Sequence, residues 1–69
     1  MNSEALYIDL AENEVITIAL LADKSLPAEV FANKYKSLIQ EHYSARGLER
    51  DDQAAYREAE ALHAYLMGT

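Results

Sequence analysis

The 69 residues contain no cysteine, so neither a disulfide staple nor a thiolate metal site is available. The absence permits any compartment and points weakly toward a reducing one. Glycine occurs only as Gly47 and Gly68, which excludes a glycine-rich phosphate loop. Bases are scarce: six Lys and Arg stand against twelve Asp and Glu, for a formal charge of −6. Such a surface repels phosphate backbones and argues against nucleic-acid binding. It suits plain solubility or a basic partner. Long hydrophobic runs are missing too. The stretch Val15–Ala22 is too short to span a bilayer, and Met1-Asn2-Ser3-Glu4 lacks the positive flank of a signal peptide. The expected location is cytoplasmic. With 51% apolar residues, the chain is also too oily to be a disordered acidic tail.

What is present is helical rhythm. The single proline, Pro27, suits a first helical position, with Glu29 placing negative charge at the positive helix end. Gly47 and Leu48 form a natural helix stop. These signals delimit a helix over about 27–46, with an apolar stripe of Val30, Phe31, Tyr35, Leu38, Ile39 and His42. Arg46 complements its dipole. A third helix over about 50–67 turns Ala55, Ala59, Leu62 and Leu66 inward, with Tyr56, His63 and Met67 at its edges.

The first helix, about 3–23, starts after a cap at Asn2 or Ser3. Its inward face is Ile8, Ala11, Val15, Ile18, Ala19 and Ala22, widened by Leu6, Leu10, Thr17, Leu20 and Leu21. Asp9, Glu12, Asn13 and Glu14 point to water. The β-branched run Val15-Ile16-Thr17-Ile18 also suits a strand, but no second strand-like run exists to pair with it. Helix is the better reading, with a break near Asn13 in view. The short joints predict an all-α, single-domain, three-helix antiparallel bundle with rods about 27 Å long. So small a core is marginal. Val15, Ile16, Ile18, Leu20 and Leu21 cover more of the first helix than one neighbour can bury, so homodimerisation through them would complete the bundle.

Reactive chemistry is poorly supported. Glu60-Ala61-Leu62-His63 has the E-x-x-H spacing of di-iron bundles, but Ile39 precedes His42 where a second glutamate is needed. An edge histidine shielding the core is the simpler account. His42 and His63 could meet across antiparallel helices to bind a metal or titrate, although both fall on or beside apolar stripes. Ser3, Ser25, Ser37 and Ser44 lie near helix ends or on polar faces, and no glycine-rich turn presents one as a nucleophile. No catalytic residue, metal ligand or cofactor is assigned, and the chain is not expected to be an enzyme. A helix-turn-helix DNA reader is conceivable from three short helices, but no basic recognition helix exists: Arg50 and Arg57 are outnumbered by neighbouring acids.

Five tyrosines (Tyr7, Tyr35, Tyr43, Tyr56 and Tyr65) pair apolar rings with polar tips, as protein-binding faces do. Each singly also suits the core–water boundary. Tyr56 with Glu49, Asp51, Asp52, Glu58 and Glu60 forms the expected partner-binding set, aromatic and ringed by carboxylates. The series Ile8-Asp9-Leu10-Ala11, an apolar helix, then Leu26-Pro27-Ala28-Glu29-Val30-Phe31 leading into Tyr35 resembles the start of small bacteriocin immunity proteins of the colicin D type. The likeness is one of pattern and charge over roughly the first 45 residues. It implies an acidic helical bundle that blocks a basic nuclease toxin by covering its active site. The leading expectation is therefore a non-enzymatic acidic inhibitor or immunity-like protein binding a basic protein surface. A self-associating adaptor stands second and a DNA-binding regulator third, with neither nucleic acid nor membrane expected as partner.

Overall fold

A computed structural model describes residues 3–68. It is all helical, with no strand among the described residues, and contains four helices rather than three. These are α1 (Ser3–Leu10), α2 (Glu14–Asp23), α3 (Ala28–Ser44) and α4 (Asp52–Met67). Among the described residues, no helix is long and apolar enough to cross a membrane.

The extra helix comes from a break inside the expected first one. Asparagine is a poor residue for a helix interior and a good one for its start. The Asn13 side-chain oxygen accepts the N–H groups of Val15 and Ile16 at 3.0 and 3.3 Å, which caps α2. The Thr17 hydroxyl then donates to the carbonyls of Ala11 and Asn13, both at 3.1 Å, tying the elbow down from its far side. Asn2, one of the two expected caps of the first helix, lies outside the described residues.

The break corrects the inward face. A continuous helix would bury Ile8, Val15 and Ile18, yet these are 56%, 75% and 62% exposed. Restarting the helix at Asn13 resets its phase. Leu6 and Leu10 now face the core from α1, and Leu20 with the partly buried Ile16 faces it from α2. Each pair is four residues apart, one turn of a single face.

Helices α3 and α4 lie antiparallel and form the main layer. The Phe31 ring centroid is 5.1 Å from that of His63, while Gln40 donates to the Arg50 carbonyl at 3.4 Å near the opposite end. Phe31, Ala32, Tyr35 and Ile39 pack against Ala55, Ala59, Leu62 and Leu66, the last four being the expected inward face of that helix. Val30 departs from expectation at 48% exposed, and Ala32 takes a core place instead. Helix α1 lies on α4, where the Tyr7 and Tyr65 rings meet at 5.7 Å.

The joints follow their local chemistry. Pro27 is the N-cap of α3 rather than its first residue. Gly47 takes φ +73°, Leu48 N–H reaches the Tyr43 carbonyl at 2.9 Å, and Gly47 N–H reaches that of Ser44 at 3.0 Å. This is the Schellman arrangement, which needs a residue tolerant of left-handed backbone. At the start of α4, Asp51 accepts Ala54 N–H at 2.7 Å.

The phase reset makes a direct prediction. Leu20→Ala destabilises the fold by about 3 kcal/mol, whereas Ile18→Ala changes it by less than about 0.5 kcal/mol. Urea denaturation of the two variants measures both, and a continuous first helix would reverse their order.

Candidate functional site

Charge is unevenly spread along the chain. Glu4, Asp9, Glu12, Glu14 and Asp23 all precede the first base, Lys24. The other seven acids share the rest of the sequence with all six bases, so five of the six net negative charges belong to the α1–α2 arm. The elbow then folds that arm against the C-terminal half of α3 and opens a groove of about 720 Å³. Leu10, Ile16 and Leu38 give it an apolar floor, and Asp9, Glu12, Glu14 and Glu41 are the carboxylates at its edge.

One base, Arg46, also lines the groove, but it is turned to its own helix. Its Nη1 donates to the His42 ring nitrogen Nδ1 at 3.0 Å and to the His42 carbonyl at 3.2 Å. Because arginine only donates, Nδ1 is the acceptor and the His42 proton sits on Nε2. That nitrogen lies 3.8 Å from the Asp9 carboxylate on α1, too far for a hydrogen bond. Glu12, Glu14 and Glu41 have no ion pair among the described residues. The groove can therefore take a cation with an apolar stem.

The expected partner-binding residues do not form one face. Glu49 and Glu60 are exposed. Asp51 is occupied as the α4 cap, and Asp52 accepts Lys36 Nζ at 3.0 Å. Asp52, Tyr56 and Glu60 recur every four residues along one side of α4. Burial and the Glu60 and Glu29 carboxylates raise the Tyr56 phenol pKa. Glu58 is on the other side of the helix and is only 5% exposed. Its Oε1 accepts Arg50 Nε at 3.1 Å, and the Arg50 guanidinium stands 4.5 Å above the Tyr43 ring. Burial, and then the Glu58 charge, raise the Tyr43 phenol pKa. A carboxylate so enclosed cannot meet a partner; it anchors the α3–α4 connection.

The expected self-association set divides in the same way. Val15, Ile18 and Leu21 face outward, Ile16 packs against the core edge, and Leu20 is wholly buried. Leu20 thus leaves the set because it fills the interior.

The two histidines sit apart. His42 belongs to the groove, whereas His63 Nε2 donates to the Leu26 carbonyl at 2.8 Å and its ring lies on Phe31 near the start of α3. Among the described residues, no three His, Cys, Asp or Glu side chains are grouped to hold a metal.

Asp23 closes the far end of α2. It accepts the Tyr35 hydroxyl and pairs with Lys34. Lys34 first, and then the phenol hydrogen bond, hold its carboxyl below the ordinary 3.8. Burial first, and then Asp23, push the Tyr35 phenol well above 10.0.

The groove residues escaped the sequence reading because they come from two distant segments. The one available signal was the absence of any base before Lys24. No family model, curated protein or solved structure matches the chain.

The Asp23 cluster predicts the limits of stability with pH. A depressed carboxyl pKa contributes stability above its unfolded value, which is lost as pH falls below about 4. A raised phenol contributes below its unfolded value and loses that contribution as pH climbs past about 10. Denaturation midpoints across pH should fall at both ends, and Asp23→Asn should flatten the acid limb while leaving most of the alkaline one, where burial of the phenols is the larger cause.

Proposed function

We propose that this chain is a non-enzymatic protein-binding module, an acidic inhibitor of immunity-like type that covers a basic surface on a partner protein. The observation that carries the reading is the lopsided charge: the α1–α2 arm has five carboxylates, no base, and a groove edge whose acids are largely unpaired. A partner bearing opposite charge would be drawn in by the long-range field, and apolar contacts would then hold it. The Asp52–Tyr56–Glu60 side of α4, with Glu49 nearby, supplies a secondary acidic surface for a broad partner.

Self-association is the second reading, favoured by the outward Val15, Ile18 and Leu21 on α2. A helix of 10 residues is about 15 Å long. That is too short to bury alone the roughly 1,000 Å² expected of a stable interface. A dimer through α2 would need further contacts, which places this reading behind the first. DNA binding ranks third, since the field of the arm opposes it.

The test is kinetic. With a partner captured from the source cells and then purified, association should slow by about tenfold between 50 and 500 mM salt while dissociation changes little. An association rate indifferent to ionic strength would sink the proposal. Sedimentation across concentration addresses the second reading: a dimer dissociated by Ile18→Glu would favour it over the first.

A further inference from the structure

We infer that the groove between the α1–α2 elbow and the C-terminal half of α3 is the docking site for a basic amphipathic helix of a partner protein. This rests on the protein-binding reading and narrows it to one place and one kind of occupant. The half-buried Ile16 and Leu38 offer apolar contact, and Asp9, Glu12, Glu14 and Glu41 line the same groove. At about 720 Å³ the space suits several side chains rather than one. A helix laid in such a groove sets aliphatic side chains on the floor and sends basic heads to the edge.

Charge complementarity selects this occupant over a second copy of the chain. The groove edge repels another acidic arm. Arg46, the base that also lines the groove, gives both its hydrogen bonds to His42 and makes no ion pair with the groove carboxylates among the described residues. The outward α2 face of Val15, Ile18 and Leu21 is a separate surface.

The probe is a synthetic amphipathic helical peptide of leucine and lysine, titrated into the isotopically labelled full chain. Amide shifts should cluster in residues 9–16 and 38–46. The triple variant Glu12→Gln, Glu14→Gln, Glu41→Gln should weaken binding by at least about tenfold at low salt, since three close charges are removed. As the control for charge alone, Glu29→Gln, which lies outside both the groove and the α4 surface, should cost less than Glu14→Gln, which removes equal charge within the groove. A peptide of equal charge with serine in place of leucine should bind at least about fivefold more weakly, reporting the floor. Shifts centred on residues 49–60, equal losses in Glu14→Gln and Glu29→Gln, or no binding at all would overturn the groove assignment. Those results leave the broader reading to its own salt-dependence test on the captured partner. A sedimenting dimer with shifts in residues 9–16 and 38–46 on self-association would overturn it in favour of a second copy.

Discussion

Asn13 accepts the first free N–H groups of α2 through its side chain, and the positions of oil and charge on this molecule follow from that cap. A straight helix from residue 3 to 23 carries one continuous apolar face. Two helices joined by a three-residue elbow carry two faces, set independently. Leu6 and Leu10 reach the interior from α1, and Leu20 reaches it from α2. The same bend brings Asp9, Glu12 and Glu14 against α3, where they edge a groove instead of scattering along a rod. Thr17 holds the bend from the other side. A cap of this kind is worth about 1 kcal/mol locally, yet it decides the orientation of a third of the chain.

The acids divide into those the fold consumes and those it leaves to a partner. Asp51 caps α4, Asp23 ties α2 to Tyr35 and Lys34, and Glu58 is enclosed with Arg50. Each of these satisfies a donor that would otherwise be lost on burial or left open at a helix end. Glu12, Glu14 and Glu41 make no ion pair among the described residues. Surface charge left without an ion pair is the feature from which the protein-binding proposal is built.

Helices α3 and α4 were legible because their signals are local. Pro27, the Gly47–Leu48 stop and the alanine–leucine face of α4 each depend on residues within one or two turns. Asn13 was visible as a break point, but its consequence for phase was not, since both faces of residues 3–23 are apolar enough to be buried. Leu20 and Val15 are equivalent by composition. Only the docking of the Ile16–Leu20 side of α2 onto the core decides between them. Glu58 likewise reads as one acid among several on α4, until the α3–α4 connection brings Arg50 over it.

The sequence by itself determined an all-helical chain, the limits of its two long helices and a strongly acidic character, because propensity, capping and charge are properties of neighbours in the chain. The tertiary structure alone decided which side of α2 is wet, which carboxylates remain available, and that residues 9–16 share a groove with residues 38–46. Those outcomes depend on contacts between separate helices and connections, whose geometry no single helical pattern encodes.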